Sequence, residues 1–243
     1  MRWYEHGALI AGGAARGLTT EQLAAQLRAA VLDTSPFDVT FPALSLATGR
    51  RVTDAIRTAA DGLDLEDCWR NLYCISTNLT TAAAEVHRTG PGWQAIRASF
   101  SIPGLFPPVR NAKGELLVDG GLLDNLPVAW MREDHRNITV VAVDTGRTRD
   151  MVAGSLPPDG IVSGWRLLMS RVDPTARGMD TAGLGRVLMR LTELGSERGR
   201  DAGDVYIRPD VDGFGIAEFK AFDRLIALGR EAGRRAIDEW QDA

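Results

Sequence analysis

Cysteine, lysine and long apolar runs are all scarce in this chain of 243 residues, and each scarcity closes off a class of protein. Two cysteines, Cys68 and Cys74, cannot build a disulfide framework, and they read as core thiols of a protein kept in a reduced compartment. Only two of the 28 basic residues are lysine, Lys113 and Lys220, a bias that reads as coding preference rather than function. Positive charge is itself in deficit, 28 basic residues against 32 acidic for a net charge of −4. The chain therefore lacks the basic field that nucleic-acid binding requires, and no nucleic-acid partner is expected. No apolar stretch approaches the roughly 20 residues that cross a bilayer. The short run Ala8-Leu9-Ile10-Ala11 sits behind Glu5 and His6 and is too brief for a signal peptide. The expected location is cytoplasmic.

What is present is ordinary for a packed domain: 44% apolar and 25% charged residues, with no internal repeat and no low-complexity linker. The length suits one large α/β domain. Gly7 to Gly13 is rich in small residues, as in a helix whose backbone packs closely on a sheet. Thr19 with Gln22 three residues on forms a capping-box pattern, and Leu23, Leu27, Ala30 and Val31 mark one buried face of the helix that follows. Leu72 to Ser76 and Ala84 to His87 read as strands joined by a threonine-rich turn, a hairpin. Trp93 to Ile102 reads as a helix stopped by Pro103-Gly104, and Glu115 to Val118 as a short strand.

Beyond Asn125 and Pro127 a further helix opens, and Ile138 to Val143 has the apolar, β-branched character of a parallel strand buried on both faces. Helical stretches are expected over 161–172 and 180–195, then a strand from Asp204 to Arg208. A last helix presents Leu225, Leu228, Ala232, Ala236 and Trp240 on one face. Alternating strands and helices point to an α/β fold with a mostly parallel central sheet flanked by helices.

Chemistry concentrates around Asp119-Gly120-Gly121, just past the end of a strand, where α/β folds collect ligands. Two residues without a Cβ let the backbone turn and let a partner approach the carboxylate closely. On its own, Asp-Gly-Gly is also a common turn. The stretch around it is more specific: Ala98-Ser99-Phe100-Ser101-Ile102-Pro103-Gly104-Leu105-Phe106-Pro107-Pro108 upstream, Leu122-Leu123-Asp124-Asn125-Leu126-Pro127 downstream. With Phe41 to Arg50, Leu65 to Trp69, Ile75 to Thr80, Val86 to Gly90 and Pro209 to Phe214, it resembles the patatin-like phospholipase family over nearly the whole chain, most closely its bacterial and neuropathy-target-esterase-like branch.

The resemblance implies a lipid acyl hydrolase working through a Ser–Asp dyad, without cofactor or metal. Its substrate would be a phospholipid, a lysophospholipid or another fatty-acyl ester, met in peripheral contact with a membrane. Asp119 matches the family's proton acceptor, and Gly120 and Gly121 its motif. Leu105, Phe106 and Leu122 would line an acyl pocket or pack the core. Residues 1–243 would form a single patatin-like domain, with 1–132 carrying the catalytic core and 133–243 its C-terminal part.

The chain departs from the family at the nucleophile, because no Gly-x-Ser-x-Gly occurs in it. The register that keeps later spacings sensible makes Gly7 the last glycine of that elbow, Glu5 the nucleophile's position and Trp3 the first glycine. A carboxylate cannot replace an alkoxide, and Trp3 would clash in a tight elbow. The expectation is an N-terminally truncated patatin-like domain, either through a late start or a true truncation, that keeps Asp119 and lacks the oxyanion loop and the serine. The alternative is a catalytically dead relative that binds lipid or a partner. His87 and His135 have no serine or second histidine at a recognisable spacing and read as structural or solvent-facing. Asp210-x-Asp212-Gly213 hints at a calcium loop but lacks the remaining ligands, so no metal is expected. Arg230, Arg234 and Arg235 on the last helix form a solvated face or touch an anionic membrane.

Overall fold

A computed structural model describes residues 7–29, 38–41, 44–135, 137–146, 163, 203–214 and 221–242. The expected helices over 161–172 and 180–195 lie outside the described residues. Helix α1 (Gly7–Ala15) owes its position to its glycines. A Cβ on Gly12 would sit 3.3 Å from Ile96 Cδ1, and one on Gly13 would sit 2.2 Å from Leu23 Cδ2. The small-residue run thus packs against other helices rather than against a sheet. Helix α2 (Thr20–Arg28) opens with the expected capping box. Gln22 N–H donates to Thr19 Oγ1 at 3.3 Å, and Thr19 N–H donates to Gln22 Oε1 at 2.9 Å.

Helix α3 (Arg50–Ala60) buries Val52, Ile56 and Ala60, one residue per turn. Its N-terminus is held from a distance in sequence: the Asp38 carboxylate accepts the N–H groups of Gly49, Arg50 and Arg51 at 3.1, 3.0 and 3.3 Å. A carboxylate on the exposed donors of a first turn is a favourable charge–dipole arrangement. Burial pushes the Asp38 carboxyl up, but the hydrogen bond from the Thr48 hydroxyl, with the N–H groups of Arg51 and Gly49, holds it below its ordinary range.

Strands β1 (Cys74–Asn78) and β2 (Ala83–His87) form the expected hairpin, with the first strand two residues later than the sequence pattern placed it. Helix α4 (Gly92–Ser99) ends three residues before the expected stop at Ile102. Strand β3 (Val109–Arg110) pairs with β4 (Leu116–Asp119), and β4 lies antiparallel to β1. The four strands run β2-β1-β4-β3, antiparallel throughout. Every residue of β1 is buried, because β2 and β4 flank it and α4 packs across β1 and β4. The main core joins α1, α3 and α4 to this sheet through Ile56, Leu65, Ile96, Phe100 and Phe106.

Helix α5 (Val128–Asp134) follows Pro127, then strand β5 (Val141–Val143) pairs in parallel with β6 (Val205–Ile207). Among the described residues this parallel pair is a two-stranded sheet separate from the antiparallel four, so the mostly parallel central sheet expected from the sequence is not what they form. The chain is a mixed α/β protein with a small antiparallel sheet and a parallel pair. The run from Ile138 has the sequence pattern of a strand buried on both faces. In the structure only Ala142 of β5 is buried, and Val141 and Val143 stand half exposed. Helix α6 (Phe222–Gln241) covers β6 with Ala232 and, in part, Ala236. Its apolar face fades toward the end, where Trp240 is exposed beside exposed Arg230, Arg234 and Arg235. Among the described residues no helix is long and apolar enough to cross a membrane.

Candidate active site around Asp119

Asp119 ends β4 in a fully packed setting, with Val118 and Leu117 buried before it. Its N–H donates to the Ser101 carbonyl at 3.0 Å, which ties the strand end to the loop that follows α4. Its side chain folds forward over the short 3-10 turn Gly120–Leu122, where Oδ1 accepts Gly121 N–H at 2.7 Å. No donor among the described residues occupies Oδ2. The carboxylate is thus oriented through one oxygen, and the other has no donor among the described residues.

The glycines are required by close approach, not by an unusual backbone, since neither has a positive φ. A Cβ on Gly120 would lie 2.4 Å from the Ile75 carbonyl oxygen, which is backbone in the middle of β1 and cannot step aside. A Cβ on Gly121 would lie 2.8 Å from Asn125 Oδ1 and 3.2 Å from Asp119 Oδ1. Any side chain there would crowd the carboxylate itself.

Burial pushes the Asp119 carboxyl from about 3.8 up to about 6, against the opposing pull of the Gly121 N–H. A carboxylate poised there can take and return a proton near neutral pH. The buried cation of α4, Arg97, is engaged elsewhere. Its guanidinium donates to Thr53 Oγ1 at 3.0 Å and to Ser101 Oγ, and it lies over the Phe106 ring. Burial lowers its pKa to about 10. Arg97 therefore braces Ser101, whose carbonyl in turn holds the Asp119 N–H.

One pairing escaped sequence reasoning. Ser76 Oγ lies 2.7 Å from His87 Nε2, so His87 does have a serine partner. Ser76 also stands directly opposite Asp119 across β1 and β4. Residues opposite one another in an antiparallel pair share a face, and His87 is the diagonal neighbour of Ser76 on the far strand. The signal lay in the hairpin register, which a shift of two residues had hidden. Ser76 is completely buried, so the pair pins the hairpin instead of offering a nucleophile. Burial lowers the His87 pKa, with Glu85 opposing.

Asp144, at the end of β5, repeats the Asp119 geometry: its Oδ1 accepts Gly146 N–H at 2.7 Å, while Tyr206 O–H occupies Oδ2 at 2.5 Å. That second oxygen is taken, which separates the two strand ends chemically.

Of the other expected residues, Glu5 lies outside the described residues. Gly7 opens α1, exposed, with nothing within 4 Å of where a Cβ would stand. His135 caps the C-terminus of α5, its N–H donating to the Met131 carbonyl at 3.0 Å. Phe106 is wholly buried and Leu105 partly so, both in the main core, which favours packing over an open acyl pocket. In the Asp210 to Gly213 turn, Asp212 N–H donates to Asp210 Oδ1 at 3.3 Å. Among the described residues no three His, Cys, Asp or Glu side chains group as metal ligands.

A family model described as patatin-like phospholipase matches residues 6–130. The chain is 31% identical over 218 residues to lysophospholipase NTE1 of Scheffersomyces stipitis, covering 88% of this chain and 14% of that protein. It is 33% identical over 209 residues to lysophospholipase NTE1 of Coccidioides immitis, covering 83% and 13%. With the protein of the same name from Lodderomyces elongisporus it shares 32% identity over 213 residues, covering 85% and 14%. The chain spans about one seventh of the length of these curated relatives.

Proposed function

From the premise that this chain belongs to the patatin-like phospholipase family, a family of lipid hydrolases, we propose that it is the acyl-hydrolase unit of a phospholipase or lysophospholipase, with Asp119 as proton acceptor. The observation that carries the reading is the Asp119 carboxyl: buried, oriented by Gly121 N–H through one oxygen, with no donor among the described residues at the other, and raised to about 6. In the reaction, a serine hydroxyl attacks the ester carbonyl and Asp119 takes its proton. The glycerol oxygen leaves with that proton, and water then releases the fatty acid from the serine by the same route. A carboxylate can do this without histidine when it is desolvated and held on the hydroxyl.

The chain supplies the base of this dyad, and Glu5 stands where the serine belongs. The site acts on fatty-acyl esters of phospholipid or lysophospholipid, in peripheral contact with a membrane from the cytoplasmic side. Residues 1–243 work as one domain, and no cofactor, metal or nucleic acid takes part.

A second reading, favoured by Glu5 in place of serine, is a lipid-binding protein without turnover. Lysophospholipid binding and hydrolysis are measured side by side for the wild type, Asp119→Asn, and Trp3→Gly/Glu5→Ser. The first reading expects hydrolysis to rise when the elbow is rebuilt and to vanish when Asp119→Asn is added. Binding with no hydrolysis in any variant supports the second reading. Wild-type turnover that survives Glu5→Ala refutes the placement of Glu5, and absence of lipid binding refutes both.

A further inference from the structure

The segment entering α3 breaks the usual rule for a surface strand. Side chains along an extended chain alternate between two sides, and a surface strand normally turns its apolar set inward. Here Ser45 and Ala47 are buried, and Leu44 and Leu46 point out, 69% and 44% exposed. On the approaching limb Val39 and Phe41 are 82% and 84% exposed. On the 44–47 limb a slip of one residue would reverse the pattern, but the register is locked. Thr40 N–H donates to the Leu46 carbonyl, and Val39 bridges Ala47. Leu46 and Ala47 N–H donate to the carbonyls of Gly104 and Leu105, and Ser45 Oγ is turned inward onto the Ala47 carbonyl at 2.7 Å.

Leu44 and Leu46 are therefore held out on one face of this short ribbon, while Val39 and Phe41 stand exposed on the other, the face that the register shares with Ala47 and Ser45. Single exposed apolar residues are normal on a protein surface; four on one short loop, presented on both of its sides, suit a tip that enters an apolar phase. Its border is cationic. The Asp38 carboxylate that begins the segment binds the N–H groups of Arg50 and Arg51, so both arginines, which are exposed, flank the apolar tip. An apolar tip with arginines at its edge matches the two layers of an anionic lipid surface, headgroups outside and acyl chains beneath.

We propose that residues 38–41 and 44–51 form a lipid-surface docking loop, with Val39, Phe41, Leu44 and Leu46 entering the interface and Arg50 and Arg51 meeting anionic headgroups. The proposal rests on the lipid-hydrolase reading above and adds the surface by which the site meets its substrate. It also explains the anchoring. The loop from Ser101 to Phe106 gives its Gly104 and Leu105 carbonyls to the docking segment and its Ser101 carbonyl to Asp119 N–H. One loop thus connects the membrane contact to the proton acceptor.

Co-sedimentation with vesicles of ether-linked, non-hydrolysable phosphatidylcholine, with and without phosphatidylglycerol, separates docking from catalysis. The variants are Phe41→Asp/Leu44→Asp, Arg50→Glu/Arg51→Glu, Asp119→Asn, and Trp69→Ser as an exposed apolar control elsewhere. Circular dichroism confirms that each remains folded. The expected result is that the wild type, Asp119→Asn and Trp69→Ser bind alike, with Phe41→Asp/Leu44→Asp weakened about tenfold or more. Arg50→Glu/Arg51→Glu should lose the added affinity for phosphatidylglycerol. Failure of the wild type to bind vesicles, or unchanged binding by Phe41→Asp/Leu44→Asp, overturns the proposal. So does a concentration-dependent dimer in solution that the same double variant abolishes, because the patch then covers a second copy of the chain. If vesicles bind but no variant binds or hydrolyses lysophospholipid, the docking surface stands and the hydrolase reading falls.

Discussion

Replacing Asp119 with asparagine should make this protein more stable at neutral pH, and the size of the gain can be worked out. Burial raises the carboxyl from about 3.8 to about 6. Each unit corresponds to about 1.4 kcal/mol of preference for the neutral form, so keeping the ion folded above pH 6 costs about 3 kcal/mol. Asparagine keeps the shape, and its carbonyl can still accept Gly121 N–H. Its amide, placed where Oδ2 was, takes back about 1 kcal/mol for want of an acceptor. The net gain is about 2 kcal/mol, or about 4–8 °C in Tm.

The pH dependence fixes the cause. Between 3.8 and 6 the folded protein holds the proton and the unfolded chain releases it, so rising pH removes stability over that window and the cost stays constant above it. Below the window both states are protonated and the advantage of asparagine vanishes. Urea unfolding of the two proteins from about pH 8 down to about pH 4.5, followed by the fluorescence of the six tryptophans, measures the gap directly. A gap that does not shrink on acidification, or a less stable variant at pH 8, would refute the claim that the carboxylate is desolvated.

Gly120→Ala should destabilise the fold by about 2–4 kcal/mol, because its Cβ meets the Ile75 carbonyl at 2.4 Å. Gly7→Ala, with open space around it, should leave the urea midpoint unchanged or raise it slightly. Thr19→Ala removes the capping box on α2 and should cost about 1 kcal/mol in the same assay. His87 has the opposite pH signature to Asp119. Its folded pKa lies below the ordinary 6.5, so its contribution is intact above that value and is lost as pH falls through the folded pKa. His87→Gln should flatten that acid limb, and an unchanged pH profile would show that His87 is not buried as described.

What the sequence made legible was local. The capping box of α2 is written in two residues, Thr19 and Gln22, and the hairpin in the threonine-rich turn between two short apolar runs. Helix α3 was missed because its cap, Asp38, lies twelve residues before the first helical position. Strand direction was illegible for the same reason: whether β4 joins β1 parallel or antiparallel depends on how the intervening chain crosses α4. Asp119 could be found from its motif, but the proximity of Ser76 and His87 could not, since a diagonal contact exists only once the register is set. The exposure of Val141 and Val143 shows the limit of composition, because an apolar run gives no information about which neighbours arrive to cover it.

The close approach of Gly120 to the Ile75 carbonyl splits the Asp-Gly-Gly motif into two parts under opposite constraints. Gly120 serves the fold, whatever the protein does, and a chain relieved of chemistry would still have to keep it. Asp119 works against the fold at neutral pH, and the same chain would gain by losing it. Drift without function would therefore erase the carboxylate and spare the glycine beside it. Within this family, an Asn-Gly-Gly in place of Asp-Gly-Gly would mark a retired site more reliably than any change in the glycines.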